Sequence, residues 1–275
     1  MHDTRPIGLI DSGIGGFTVL KALQDRFPGE NIIYLGDSLR MPYGERDNDE
    51  IITYANSDIR FLTEHNVKAV LIACNTVSSM INRLVSRVPL FSIVEEGCLA
   101  TLDIVKRGEV GLIATRATVN NNAYPDTLAR MTKDVTFVQQ GTKTLAAVIN
   151  NYPREIELLK THIHLAIDPL IDEKSIHTLL LGCTHFPIVS ETIKKLYPDF
   201  TLINPADKMI DCLNEFLIQN DLINHQKERG KTEIVTTGTS ADFNIFENMT
   251  HYLDIHCDKL TQGKLDIDEH ITMPY

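Results

Sequence analysis

The stretch Leu71-Ile72-Ala73-Cys74-Asn75-Thr76 is an apolar run that ends in a cysteine and opens a polar turn. A second stretch, Leu180-Leu181-Gly182-Cys183-Thr184-His185, repeats this design later in the chain. A short apolar run bounded by turn residues is typical of a strand that is buried on both faces. The sequence therefore predicts two buried strands, each with a thiol at its carboxyl end.

Short apolar runs rich in β-branched residues alternate with segments of helical periodicity along most of the chain. Apolar residues recur at helical spacing after the first run, at Phe17, Leu20, Leu23 and Phe27. This alternation predicts parallel strands with helices on both faces of the sheet. The predicted strands are 7–10, 31–35, 69–73, 90–93, 110–113, 135–138, 178–181, 200–203 and 233–236.

The two halves of the chain begin alike. Ile7-Gly8-Leu9-Ile10 opens the first half, and Val110-Gly111-Leu112-Ile113 opens the second. We expect an α/β protein of two similar doubly wound parallel-sheet domains, with the active site in the cleft between them. The predicted boundaries are 1–96 plus 207–275 for the domain of Cys74, and 97–206 for the domain of Cys183.

Composition restricts the function classes. The chain has 275 residues, 43% of them hydrophobic, and its 26 Lys and Arg against 37 Asp and Glu give a net charge of −11. A packed core is expected, and nucleic acid is not the expected partner because no basic run is present. The first residues hold no long apolar stretch, so neither a signal peptide nor a membrane anchor is predicted, and we expect a cytoplasmic protein.

Two polar parts of the chain are expected to lie outside the regular structure. Asn220–Lys231 is predicted to be a connector, and the charged end from Asp258 onward is predicted to pack loosely. The five cysteines are odd in number and irregularly spaced, which indicates reduced thiols. His162 and His164 have no ligand-type neighbours in sequence, so they are interpreted as surface or helix residues, and no metal site is predicted.

Polar clusters follow several of the predicted strands. Asp11-Ser12-Gly13 and Gly36-Asp37-Ser38 follow the first two, in addition to the two cysteine turns. Ligands of parallel sheets bind outside the carboxyl ends of the strands, so we expect these clusters to meet at one site. Gly13, Gly15 and Gly16 would let backbone N–H groups approach an anion there.

Two thiols in related settings indicate one acid and one base on opposite faces of a small substrate. That arrangement inverts a stereocentre without a cofactor, and no lysine stands out as a Schiff-base candidate. Cys98, Cys212 and Cys257 lack the strand-end setting and are expected to be buried structural thiols.

Four motifs in order resemble the glutamate racemases of the cofactor-independent aspartate/glutamate racemase family. They are Asp11-Ser12-Gly13-x-Gly15-Gly16, Gly36-Asp37-Ser38-x-Arg40-x-Pro42-Tyr43-Gly44, Ala73-Cys74-Asn75-Thr76 and Gly182-Cys183-Thr184-His185-Phe186-Pro187. The resemblance spans residues 7 to 187 and continues more weakly to about Phe246. It implies racemisation of glutamate to supply D-glutamate for peptidoglycan precursors, no cofactor, and a homodimer.

The resemblance also implies residue roles. Cys74 and Cys183 would be the two acid/base thiols, assisted by Asp11 and His185. The substrate would be held by Asp11, Ser12, Tyr43, Gly44, Asn75, Thr76, Thr118, Thr184 and His185.

The sequence predicts that neighbouring groups support ionisation of the two thiols unequally. A free thiol has a pKa of about 8.5, and a helix N-terminus contributes only about 0.3–1 kcal/mol toward the thiolate. Cys183 has His185 two residues on, which can accept its proton or, when charged, stabilise its thiolate. Cys74 has no histidine nearby, and Asp11 could act there only as a proton acceptor. We therefore expect the two half-reactions to differ kinetically.

One segment departs from the family pattern. Members usually carry a run resembling Ala-Cys-Pro-x-Leu-Val-x-x-Ile-Glu, to which 141–150 corresponds here. Asn150 then replaces a carboxylate and Lys143 replaces a proline, which affects the expected turnover and substrate preference.

Other functions are consistent with parts of this pattern. A racemase of another acidic amino acid, such as aspartate, would use the same thiols. A thiol amidase or hydrolase could use Cys183 and His185, but it would leave Cys74 unexplained, because such enzymes need one nucleophile and an oxyanion hole. A non-catalytic relative that binds an acidic metabolite would be stabilised by ligand without turnover.

Overall fold

The computed structural model describes residues 3–150, 155–174, 176–263 and 265. Within these residues, ten strands form two separate parallel sheets. Those of the first sheet are β1 (Ile7–Asp11), β2 (Ile32–Gly36), β3 (Ala69–Ile72), β4 (Leu90–Ser92), β9 (Thr232–Thr236) and β10 (Lys259–Gln262). Those of the second are β5 (Gly108–Thr115), β6 (Val135–Thr142), β7 (Thr178–Gly182) and β8 (Thr201–Ile203).

The strand order is β10-β9-β2-β1-β3-β4 in the first sheet and β6-β5-β7-β8 in the second. Every pairing is parallel, so each crossover needs a helix or a long loop. The helices are α1 (Phe17–Arg26), α2 (Asn48–Glu64), α3 (Asn75–Ser78), α4 (Ile93–Ile104), α5 (Arg116–Asn120), α6 (Ala123–Met131), α7 (Leu145–Ile149), α8 (Ile156–Lys174), α9 (Ser190–Leu196), α10 (Pro205–Gln219) and α11 (Ser240–Tyr252).

Both faces of each sheet are covered by a hydrophobic core. In β1, Leu9 packs with α1 and α10 on one face, and Ile10 packs with α2 on the other. In β7, Leu181 packs with α8, and Leu180 packs with α4 and α6. Alternate residues of a strand point to opposite faces, so a continuously apolar strand must be buried on both. The predicted fold of two doubly wound α/β domains is confirmed.

The chain passes between the sheets through helices. β4 of the first sheet leads directly into α4, and α10 follows β8 of the second sheet and packs against α1 and α4. The predicted boundaries at 96/97 and 206/207 fall inside α4 and α10, and the boundaries themselves stay a prediction. The carboxyl ends of both sheets face the same cleft, because residues that follow β1, β2, β3, β5, β6 and β7 line one cavity.

The largest differences from the sequence prediction concern strand ends and the tail. Ile93 begins α4 instead of ending a strand, since the Ser92 side chain caps that helix by accepting from Glu95 N. The prediction of loose packing from Asp258 onward is wrong for 259–262, which form β10. β10 is an edge strand that is held by backbone pairing to β9, so its side chains do not need the continuous apolar pattern of a central strand. The connector 220–231 holds neither helix nor strand, as predicted.

Within the part of the chain that the structure describes, each helix is too short or too polar to cross a lipid bilayer.

A buried ion pair supports the first sheet at the end away from the cleft. Lys68 Nζ lies 2.6 Å from Glu30 Oε2, and both side chains are almost fully buried. Lys68 also donates to the Leu222 carbonyl, and Glu30 accepts from Asn224 N. The pair therefore fastens the 220–231 connector to the amino ends of β2 and β3.

We expect Lys68→Met to destabilise the protein by about 3–5 kcal/mol, because it leaves the Glu30 charge buried without a partner. Adding Glu30→Gln removes that charge and should restore part of the loss. Urea unfolding measures the change, and Lys21→Met is the control, since Lys21 forms an exposed pair with Asp25 worth less than about 1 kcal/mol. Equal losses for Lys68→Met and Lys21→Met would contradict a structural role for the buried pair.

Candidate active site

A cavity of about 490 Å³ lies between the carboxyl ends of the two sheets. Both domains contribute to its wall, so a ligand inside it contacts both. Nine of the side chains or glycines predicted from the sequence line it: Ser12, Tyr43, Gly44, Cys74, Asn75, Thr76, Cys183, Thr184 and His185. Asp11 and Thr118 lie behind this wall.

Cys74 closes β3 and is the N-cap residue of α3. Its side chain is 6% exposed, and its Sγ lies 3.8 Å from Ser12 Oγ. Burial and, less strongly, the nearby Asp11 charge raise the pKa of Cys74 to about 12, although hydrogen bonds from Val77 N, Ser12 and Thr76 N act in the opposite direction. Without a ligand the thiol is therefore protonated at neutral pH.

Cys183 closes β7 on the other side of the cavity. Its Sγ lies 3.8 Å from His185 Nδ1. Burial raises the pKa of this thiol well above its usual range, and the charges of Asp11 and Cys74 raise it further. Ionisation of one thiol therefore disfavours ionisation of the other, which suits a pair in which one is the acid and one the base.

His185 is buried between Cys183 and Asn150. Its Nε2 lies 3.1 Å from Asn150 Oδ1, and burial lowers its pKa to about 4. With the amide oxygen assigned to face Nε2, that nitrogen carries the proton and Nδ1 turns its lone pair toward the Cys183 thiol. In this tautomer Nδ1 can accept a hydrogen bond from the Cys183 thiol, while burial disfavours the charged imidazole that full transfer of the thiol proton would produce.

Asp11 joins the two domains from behind the cavity wall. Its Oδ1 accepts from Gly13 N at 2.9 Å, and its Oδ2 accepts from the Thr184 hydroxyl at 3.0 Å across the cleft. Thr18 adds a second crossing through a 3.2 Å hydrogen bond to the Thr184 carbonyl. Burial raises the pKa of Asp11 to about 6, so the carboxyl is mostly ionised at neutral pH.

The glycine loop after β1 approaches the opposite domain closely. A Cβ on Gly15 would lie 2.4 Å from His185 Nδ1 and 2.5 Å from Thr184 Oγ1. Position 15 must therefore be glycine, because any side chain there would overlap His185 and Thr184. The sequence analysis expected the loop glycines to admit a ligand, and at Gly15 the group that comes close belongs to the chain itself.

Asp37 holds the segment that carries Tyr43 and Gly44. It accepts hydrogen bonds from the Tyr43 hydroxyl, from Arg40 Nη1 at 3.0 Å and from the Thr237 hydroxyl at 2.6 Å. The carboxyl of Asp58 is also buried here, and burial beside Asp37 raises its pKa well above the usual range. This network fixes one wall of the cavity.

Asn75 presents an unused donor. Its Oδ1 accepts from the Tyr124 hydroxyl at 2.6 Å, which orients the amide, while its buried Nδ2 has no hydrogen-bond partner among the described residues. A buried donor without a partner is unfavourable unless a ligand fills the position. An oxygen of a ligand in the cavity would satisfy it.

Thr118 is fully buried and contacts the cavity only through its neighbours. Its hydroxyl lies 3.0 Å from that of Thr115, which in turn lies 3.2 Å from the Thr76 hydroxyl. Thr115 lines the cavity, so Thr118 is connected to the site through the Thr115 hydroxyl.

The sequence analysis missed the wall residues at the ends of β5 and β6. They are Thr115, Arg116, Asn120, Thr142 and Thr144. Lys143, named above for its departure from the family pattern, lies among them in the wall. The rule that ligands bind at the carboxyl ends of parallel strands would have found them, had both strands been predicted to their full length.

The other cysteines lie away from the cavity. Cys98 is buried as predicted, but Cys212 and Cys257 are partly exposed, and the prediction of burial is wrong for both. His162 and His164 lie on α8, as predicted. Across the described residues, no three His, Cys, Asp or Glu side chains are grouped so as to hold a metal ion.

Comparison with known proteins identifies the family. Residues 17–212 match the model of the Asp/Glu/Hydantoin racemase family. The chain belongs to this family. It is 35% identical over 244 residues to glutamate racemase 1 of Caldanaerobacter subterraneus, covering 88% of this chain and 91% of that protein. The resemblance read from the four motifs is confirmed, and so is the enzyme class, since racemases are isomerases.

Solved structures agree with this family membership. A glutamate racemase isoform of Bacillus anthracis superimposes with a TM-score of 0.89 at 29% identity, covering 97% of this chain and all of that one. The glutamate racemase of Francisella tularensis, solved in complex with D-glutamate, gives a TM-score of 0.85 at 29% identity, covering 98% of this chain and all of that one.

Burial of neutral His185 makes folding stability depend on pH. The unfolded chain binds a proton at His185 near pH 6.5, but the folded chain does so only near pH 4. This contribution to stability is complete above pH 6.5 and is lost as the pH falls toward 4, by about 3 kcal/mol. Asp11 has the opposite effect, because its pKa in the folded chain is raised to about 6. Protonation of Asp11 stabilises the folded state as the pH falls below 6.

We therefore expect His185→Asn to remove the loss of stability that acid causes through this histidine. Urea unfolding of wild type and variant at several pH values from 7 to 4 measures it. The control is His251→Asn, because His251 is exposed on α11. Parallel pH profiles for wild type and His185→Asn would contradict the depressed pKa.

Proposed function

We propose that this protein interconverts L- and D-glutamate without a cofactor, with Cys74 and Cys183 as its acid and base. The observation that carries the proposal is that two buried thiols from opposite domains line one cavity. Relatives that share the fold and about a third of the sequence are named glutamate racemases. A hydrolase would leave one of the thiols without a role.

In the proposed reaction the thiolate of one cysteine removes the α-proton, and the thiol of the other supplies a proton to the opposite face of the α-carbon. Starting from L-glutamate, the family resemblance assigns the base to Cys183 and the acid to Cys74. The C–H electron pair stays on carbon and forms the new C–H bond. After one turnover Cys183 is the thiol and Cys74 the thiolate, which is the state that reacts with D-glutamate. Before another L-glutamate reacts, Cys183 must release its proton and Cys74 must take one up, by exchange with solvent.

Both thiols need help to ionise, because burial raises their pKa values. The α-ammonium group of a bound amino acid would place a positive charge beside them and favour the thiolate. At Cys183 the lone pair of His185 Nδ1 is available to take the thiol proton. At Cys74 the helical N–H groups of α3 act instead, and the charge of Asp11 opposes ionisation.

Neutral donors in the cavity are suited to the substrate carboxylates. Asn75 Nδ2 has no partner among the described residues, and Ser12 and Thr76 add hydroxyl groups to the wall. The hydroxyl of Thr184 donates to Asp11 and has only its lone pairs left for a ligand. We propose that these residues, with Tyr43, Gly44 and His185, bind the substrate, while Asp11 and Thr118 act from behind. By the family resemblance, the protein would be a homodimer that supplies D-glutamate for peptidoglycan precursors, and the polar first residues make the cytoplasm the proposed location.

Incubation of the purified protein with L-glutamate in deuterated water, without added cofactor, tests the activity. Optical rotation should fall to zero while the α-proton signal disappears. Aspartate in place of glutamate tests the alternative acidic substrate. Cys74→Ser and Cys183→Ser should each lower racemisation by about 10²–10⁴-fold, the usual loss when an acid or base is removed.

The control for the thiol variants is Cys212→Ser, a partly exposed cysteine away from the cavity. It should keep the wild-type rate, and circular dichroism should show all three variants folded. Retention of more than about a tenth of the rate in either site variant would contradict a two-thiol mechanism.

The contact between His185 and Asn150 predicts that changes at these residues affect kcat from L-glutamate and kcat from D-glutamate unequally. His185→Asn should lower kcat more from L-glutamate than from D-glutamate, because His185 faces Cys183 alone. The equilibrium constant is one, so kcat/KM stays equal in both directions and KM must fall with kcat on the L side. Asn150→Glu would place a carboxylate beside Nε2 and should narrow the difference between the directions. Equal kcat losses for His185→Asn would refute this assignment and leave the two-thiol mechanism standing.

A further inference from the structure

Two cationic side chains line the cavity where it opens to solvent. Arg116 follows the last residue of β5, and Lys143 follows the last residue of β6. Those last residues, Thr115 and Thr142, are paired in register. Arg116 and Lys143 therefore leave adjacent strand ends side by side, and both are exposed.

Neither cation is neutralised by the part of the chain that the structure describes. No hydrogen bond or ion pair joins either side chain to a described residue, and Glu45, the acidic residue of the cavity wall, forms no ion pair with them. The Arg116 stem leans over β6, where its Cγ would lie 3.5 Å from a Cβ on Gly141. Two like charges on neighbouring strand ends repel each other until an anion binds between them.

The rest of the molecule repels acidic ligands. The chain carries a net charge of −11, and the carboxyls buried at or beside the site, those of Asp11, Asp37 and Asp58, add no positive charge. The donors deeper in the cavity, such as Asn75 and Thr76, are neutral and act only at hydrogen-bond distance. Attraction of an anion over longer distances must therefore come from Arg116 and Lys143.

We propose that Arg116 and Lys143 form a carboxylate-capture site at the mouth of the cavity. The site draws in a dicarboxylic amino acid and raises its concentration beside the thiols. It takes no part in proton transfer, so its loss changes KM and leaves kcat in place. This inference rests on the proposed glutamate racemisation and adds the means by which an acidic protein admits an acidic substrate.

The same two strands provide a matched control. Arg107 and Lys133 are exposed cations that precede β5 and β6, at the end of the sheet away from the cavity. The double variant Arg116→Gln/Lys143→Gln and the double variant Arg107→Gln/Lys133→Gln change the net charge equally. They differ in which end of the strands loses its charge.

At an ionic strength of about 0.01 M, where the screening length is about 30 Å, the mouth variant should raise KM for both enantiomers by about threefold to tenfold. Its kcat should stay within about twofold of wild type, and about 0.5 M salt should abolish the difference in KM. The control variant should match wild type at both salt concentrations. The thermal shift that glutamate produces should weaken in the mouth variant alone, which measures binding without turnover.

Equal KM values for the two double variants, or a change in KM that persists at high salt, would overturn the capture site. A fall in kcat without a rise in KM would also overturn it, because it would place these cations in the chemistry. The proposed function fails separately, if wild type does not racemise glutamate. A wild-type enzyme that racemises glutamate with no dependence of KM on salt refutes the capture site alone.

Discussion

The Asp11 carboxylate holds together the parts of the site that come from different domains. It accepts from Gly13 N in its own loop and from the Thr184 hydroxyl across the cleft. Thr184 lies between Cys183 and His185 in sequence, so this one contact places the second thiol and its histidine relative to the first domain. Gly15 permits the approach, since any larger residue would overlap His185 and Thr184. The arrangement depends on a buried charge, which is why the Asp11 pKa is raised to about 6.

Burial gives the site its selectivity and also makes its thiols weak acids. Both sulfur atoms lie in a buried wall, and burial together with the Asp11 charge raises their pKa values. A site built in this way stays unreactive toward other electrophiles while it is empty, because the thiolate is the reactive form. The proposed substrate brings its own positive charge at the α-ammonium, so the base would form mainly when there is a proton to remove. Burial therefore couples ionisation of the thiols to binding of the proposed substrate.

The sequence predicted most of the fold because strands buried on both faces leave a continuous apolar signal, as at β3 and β7. It predicted the position of the site because polar residues follow those strands at one edge of each sheet. It could not predict contacts between domains, such as Thr184 with Asp11, since pairs far apart in sequence leave no local pattern. β10 was missed for a related reason: an edge strand is held by backbone pairing, and its side chains Lys259 and Gln262 carry no apolar pattern. The exposure of Cys212 depends on how α10 packs against α4, which the helical periodicity of α10 does not reveal.

The amide of Asn150 shows how one substitution can preserve geometry while changing electrostatics. The family resemblance places a carboxylate at this position, and either group can accept a hydrogen bond from His185 Nε2. A carboxylate would also stabilise a charged imidazole, whereas an amide leaves the effect of burial unopposed, and the His185 pKa falls to about 4. A neutral histidine can accept a hydrogen bond from the Cys183 thiol, but burial opposes the charged imidazole that would form on proton transfer and stabilise the thiolate. The substrate ammonium then becomes the main positive charge on the Cys183 side, so in this chain ionisation of that thiol should depend on bound substrate more strongly than it would beside a carboxylate-supported histidine.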